Sequence, residues 1–74
     1  MRLDTVIASS IPNVSYAQAQ KLIDTGCVRI GTRLAKCHWQ LLRGGHYFIK
    51  IKGMGIYKFS VRSNSVKNFK EVKG

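Results

Sequence analysis

The stretch Ser15-Tyr16-Ala17-Gln18-Ala19-Gln20-Lys21-Leu22-Ile23-Asp24-Thr25-Gly26-Cys27-Val28-Arg29-Ile30 holds a helix start, a helix stop and the beginning of a strand. Ser15 with Gln18 forms a Ser-x-x-Gln capping box, in which the hydroxyl accepts from the N3 amide while the glutamine reaches back to the cap amide. Tyr16, Ala19, Leu22 and Ile23 recur at helical spacing and give one apolar stripe. Gly26 falls one residue past the expected C-cap, where a left-handed backbone ends a helix. Directly after it the period drops from about 3.6 to 2, with Val28 and Ile30 alternating against Cys27 and Arg29 as in a half-buried strand.

Toward the N-terminus, Leu3, Val6 and Ile7 stand at i, i+3 and i+4 and predict a shorter helix that ends before the Ile11-Pro12 break. Toward the C-terminus, Gly31-Thr32 reads as a turn into Arg33-Leu34-Ala35, completing a hairpin. Trp39, Leu41 and Leu42 lead to a second turn at Arg43-Gly44-Gly45. The run Tyr47 to Ile51 is rich in strand formers, with Lys50 and Lys52 on the face opposite Ile49 and Ile51. A Gly53-Met54-Gly55 turn joins it to Ile56 through Arg62, where Tyr57, Phe59 and Val61 alternate with Lys58, Ser60 and Arg62. The expected fold class is α+β, with two N-terminal helices packed on a small antiparallel sheet and one domain over residues 1–62. From Ser63 onward, Lys67, Lys70 and Lys73 among Ser and Asn predict a basic, flexible tail over residues 63–74, with Val66 and Phe69 able to tack part of it to the body.

The chain has 74 residues, enough for one domain with a small core. Its hydrophobic fraction of 45% suits a folded body, because disorder requires low hydrophobicity as well as high net charge. Thirteen Lys and Arg stand against only Asp4, Asp24 and Glu71, a formal net charge of +10. Such a field repels itself in the compact state, and a polyanion that neutralises it binds strongly through counterion release. Nucleic acid is therefore the expected partner. An anionic membrane surface ranks below it, since no basic amphipathic helix or lipid anchor is evident. No apolar run approaches the roughly 20 residues of a membrane span. Cys27 and Cys37 are too few for a disulfide framework and no signal peptide precedes them, which together predict a reducing compartment.

The residues give little support to catalysis or metal binding. Cys27, Cys37, His38 and His46 are of zinc-ligand type, but there is no Cys-x-x-Cys, and adjacent Cys37-His38 on an extended chain point to opposite faces. No acidic orienter or oxyanion loop accompanies a Cys-His pair. Asp4 and Asp24 read as complements of helix ends, Asp4 in a first turn where negative charge is favourable. The expectation is a non-enzyme with no cofactor, no metal and no small-molecule substrate.

Several of these motifs resemble, in order and spacing, the S4-type RNA-binding domain, known also as the alpha-L motif. They are Arg2-Leu3-Asp4 ahead of the first helix, Ser15, Gln18 and Ala19, Leu22-Ile23-Asp24-Thr25-Gly26, and the Val28-Arg29-Ile30 strand. The likeness spans residues 2–59. Lys52-Gly53-Met54-Gly55-Ile56-Tyr57-Lys58-Phe59 is similar to the ending of the ribosome-associated YlmH-type proteins and their plastid relatives. Those proteins carry another domain upstream, so the chain fits either a C-terminal piece of a larger protein or a stand-alone small one. It departs from the family's pattern at Tyr16, where Arg is usual, at Gly31-Thr32 in place of Asn-Gly, and at Gly45-His46 in place of Gly-Asp.

The resemblance implies a monomeric, non-catalytic module for structured RNA, ribosomal RNA or a ribosomal subunit, in the cytoplasm or in a plastid or mitochondrion. RNA would lie across the second helix and the adjoining hairpin. Ser15 would offer helix-start amides to a phosphate, Gln18 and Lys21 the polar helix face, and Arg2, Arg29, Arg33 and Lys36 further cations. Arg2 has the alternative of pairing with Asp4. Lys50, Lys52, Lys58 and Arg62 extend the footprint or serve only solubility. Phe48 and Tyr16 are expected in the core, with stacking on an unpaired base as the minority reading. Two other functions fit the same residues: an RNA-targeting appendage of an RNA-modifying enzyme such as a pseudouridine synthase, and a module that docks on a ribosomal protein.

Overall fold

The computed structural model describes residues 1–72. Two helices, α1 (Leu3–Ser10) and α2 (Tyr16–Asp24), precede five strands: β1 (Val28–Ile30), β2 (Arg33–Leu34), β3 (Gly45–Ile51), β4 (Gly55–Arg62) and β5 (Ser65–Val72). The strands form one antiparallel sheet in the order β2-β1-β3-β4-β5, and both helices pack on the same face of it. The expected α+β architecture is the one observed.

Local chemistry sets the helix ends. The Ser15 hydroxyl accepts from the Gln18 amide at 3.1 Å, and Gln18 Oε1 accepts from the Ser15 amide at 2.9 Å, so both halves of the capping box are made. At the other end the Cys27 amide donates to the Leu22 carbonyl and the Gly26 amide to that of Ile23. This is a Schellman closure, and it needs the positive φ of Gly26 (80°). Helix α1 has no side-chain cap, because Arg2 offers no acceptor there. Its first amides are met instead by the loop after β2: Leu3 donates to the Gln40 carbonyl at 2.9 Å and Asp4 to that of His38 at 3.2 Å.

Period-2 alternation divides the sheet into two faces. Val28, Ile49, Ile51, Tyr57, Phe59 and Val61 turn inward and are buried with Leu3, Val6, Ile7, Ala19 and Ile23 from the helices. Among the described residues no helix covers the other face, which carries Arg29, Lys50, Phe48 and Lys58.

The flexible tail expected over residues 63–74 is replaced by β5 as far as Val72; Lys73 lies outside the described residues. Two backbone devices hid this strand. Ser63 and Asn64 both take positive φ (51° and 58°), the type I′ geometry of a tight hairpin, without the Asn-Gly that usually announces it. Then Ser60 pairs with Lys67 but Lys58 with Lys70, so Asn68 and Phe69 together oppose Phe59. Asn68, at φ 56°, is the extra residue of a β-bulge. The bulge shifts the alternation by one. Val66 and Phe69 therefore both face inward although they stand three apart, and Phe69 stacks on Phe59 (centroids 5.5 Å) and Tyr57 (5.4 Å).

Phe69→Ala is expected to cost roughly 2 kcal/mol in lost apolar burial and, at this size, to lower the melting temperature by roughly 8–16 °C. Thermal unfolding followed by circular dichroism measures this; a dispensable tail would leave the transition in place.

Candidate nucleic-acid interface

The seven sequence-predicted residues do not share one surface. Arg2 is occupied: its Nη2 donates to Asp4 Oδ2 at 2.9 Å, with the Asp4 side chain fully buried and that of Arg2 partly exposed. Ser15 and Gln18 are exposed, but their side chains are engaged in the capping box. Arg29 and Arg33 lie on opposite faces of the β1–β2 hairpin. Arg33 pairs with inward Ile30, whereas Arg29 pairs with Leu34 and points to the uncovered side, where its guanidinium also donates to the Thr32 carbonyl at 3.4 Å. Lys36 follows β2 in the loop, its amide held by Gln40 Oε1. The single cradle expected of the helix start and this hairpin is thus split by the alternation of the strands.

A different continuity joins the basic side chains. Gln18 and Lys21 line a shallow hollow with Val14, Leu22, Cys27 and Met54. Cys27 and Met54 also border a second hollow, lined by Arg29, Lys50 and Lys52. A positive strip therefore runs from Lys21 of α2, over the turn between β3 and β4, to Lys52, Lys50 and Arg29 on the uncovered face. Arg29 and Lys50 are register partners there, and Lys58 and Lys70 stand opposite each other farther across the sheet. Sequence reading put Lys50, Lys52 and Lys58 opposite the apolar positions, yet could not join them to Lys21, because the Met54 contact links segments about thirty residues apart. Lys70 was missed with β5.

These cations form no direct ion pair among the described residues, although the Glu71 carboxylate lies close to Gly55 at the start of β4. Among the described residues, Arg2 is the only Lys or Arg with a carboxylate partner. Asp24 is taken by His38, whose Nδ1 lies 2.7 Å from Asp24 Oδ2 and whose amide donates to Oδ1, a tie between the end of α2 and the loop after β2. Among the described residues no three His, Cys, Asp or Glu side chains gather as a metal site would require. No helix of the described residues is long and apolar enough to cross a membrane. Phe48 and Tyr16, expected in the core, are both exposed. Tyr16 bridges the helices, its hydroxyl 3.2 Å from Thr5 Oγ1.

No known family model, curated protein or solved structure matches this chain.

Asp4 explains why Arg2 is unavailable. Burial by itself raises the pKa of this carboxyl, but hydrogen bonds from Gln20, Arg2 and the Thr5 amide, with the Tyr16 hydroxyl adding to them, outweigh it and hold the pKa below the ordinary 3.8. A carboxylate depressed by folding stabilises the fold above its unfolded pKa, and that contribution is lost as pH falls through the folded one. Acid titration of stability should therefore show a loss beginning near pH 3.8 and continuing below it. In Asp4→Asn that component should flatten, with a stability lower by roughly 1–3 kcal/mol at neutral pH.

Proposed function

We propose that this chain is a non-catalytic RNA-binding module of the S4 type that recognises structured, ribosomal RNA mainly through its phosphate backbone. The observation that carries the reading is the unpaired positive strip from Lys21 across Lys52 and Lys50 to Arg29, within a chain of net charge +10. A folded protein that leaves so many cations without carboxylate partners is under self-repulsion, which a polyanion relieves. Guanidinium groups suit phosphate oxygens through paired donors, and ammonium groups act as point charges. Structured RNA favours this kind of contact because its deep major groove excludes side chains, leaving shape and backbone to be read.

The helix start contributes less than the sequence suggests. Gln18 occupies the Ser15 amide, and the Ser15 hydroxyl occupies that of Gln18, so two of the donors a phosphate would seek are already used. The strip over the turn between β3 and β4 is the stronger candidate for the backbone track, with Arg33 and Lys36 outside it.

Binding of a ribosomal RNA fragment, measured by fluorescence anisotropy across a salt series, should show log affinity falling linearly with log salt. The combined Lys21→Ala, Arg29→Ala and Lys50→Ala substitutions should lower affinity and reduce the salt slope by roughly one for each lost phosphate contact. Arg33→Ala should have the smaller effect. A larger effect at Arg33 returns the interface to the β1–β2 hairpin, and a salt-independent affinity overturns the electrostatic reading.

A further inference from the structure

The uncovered sheet face holds a feature that backbone binding does not use. Phe48 stands in the middle of β3, 55% exposed, on the side of the sheet away from both helices. A ring of that size left in water forgoes the burial that a core position would provide. Its nearest neighbours are mainly basic or polar, although exposed Ile56, the register partner of Lys50, shares the same face. Along its own strand the same face carries His46 and Lys50; across the ladder its register partner is Lys58, and Lys70 lies one strand beyond. On its other flank stands Gly31, whose amide donates to the Phe48 carbonyl at 2.7 Å. Gly31 has no side chain, and nothing lies within 4 Å of the point where a Cβ would project, while the Arg29 guanidinium reaches the neighbouring Thr32 carbonyl and adds a further cation on that side.

An exposed aromatic ring on the solvated sheet face, with cations at strand spacing around it, matches the two demands of a nucleotide in a single strand. The base needs a π-face, and its phosphates need positive charge within a side-chain length. Cross-strand neighbours on one face stand about 5 Å apart at Cβ, near enough for Lys58 to reach a phosphate of a base seated on Phe48. A shallow groove lined by His46, Phe48, Lys58, Ser60, Asn68 and Lys70 continues away from the ring toward β5, giving the chain on one side of the base a basic path. A protein partner's apolar face would strand these lysines without water or counter-charge, which is costly. We infer that Phe48 is a stacking platform for an unpaired base, and that the outer face of β3, β4 and β5 binds single-stranded RNA next to the structured element held by the strip. The inference rests on the RNA-binding reading above and adds a ligand class to it.

The test compares a short fluorescein-labelled oligoadenylate with a blunt RNA duplex of the same length, using the full chain at one salt concentration. Phe48→Leu preserves an apolar side chain on an exposed strand position, so the fold is expected to survive; circular dichroism verifies this. Affinity for the single strand should fall by roughly 5- to 150-fold, as loss of one base stack predicts, with duplex affinity unchanged. Phe48→Tyr should restore it. In a Trp39→Phe background, the emission of Phe48→Trp should be quenched by the oligoadenylate and not by the duplex. If the wild-type chain binds RNA but Phe48→Leu binds the single strand equally well, the stacking platform is refuted while RNA binding stands. If the wild type binds neither RNA, both fall together. If Phe48→Leu weakens binding only to anionic phosphatidylserine vesicles, the face belongs to a membrane surface and the inference is overturned.

Discussion

The Asp4 carboxylate, withdrawn completely from solvent, holds the helix layer together. It receives Arg2 from its own N-terminal flank, Gln20 from α2 and the Thr5 amide from its own first turn. A buried charge is tolerated only when its lone pairs are filled, and here every buried side-chain polar atom among the described residues has a partner. The backbone of the same residue donates to the loop after β2, so one amino acid fixes α1 against α2 and both against the chain that leads into β3. With the helices locked on one side, the sheet's other side is left bare. The functional reading depends on that asymmetry.

Most of the fold could be read from local chemistry. The capping box, the Gly26 stop and the period change at Val28 are contained within a few residues each, and each has one physical outcome. Strand β5 was not legible, for an equally specific reason. Its inward residues Val66 and Phe69 are three apart because Asn68 is an added residue, and an i, i+3 spacing with interspersed lysines is what a solvated or weakly helical segment also shows. Its hairpin turn uses Ser63-Asn64, which lacks the glycine expected of two consecutive positive φ angles. The irregular loop from Lys36 to Gly44 was equally hidden, since its task of capping α1 depends on carbonyls that any residue supplies.

The site was legible by residue type more than by position. Lys21 and Arg29 stand on the strip, but residues eight apart in sequence do not reveal that Met54 lies between them. Ser15 and Gln18 illustrate the opposite outcome: the features that made them recognisable as a helix start also consumed the groups a ligand would need. Alternation separates Arg29 from Arg33: across the two-residue turn Arg29 shares its face with its register partner Leu34, and Arg33 shares the opposite face with Ile30. The net result is a molecule with its apolar contacts on one side of the sheet and much of its unneutralised charge on the other.

The bulge at Asn68 also bears on the outer margin of the sheet. Among the described residues, strand β5 is the last in its row and has one line of amides and carbonyls without a neighbouring strand. An unbroken eight-residue margin of this kind is a template onto which a foreign strand can zip. The added residue breaks the regular repeat of donors and acceptors midway, and the lysines at 67 and 70 place like charges where an identical margin would have to approach. The device that turns Phe69 into the core thus also blunts the molecule against self-association into extended sheets.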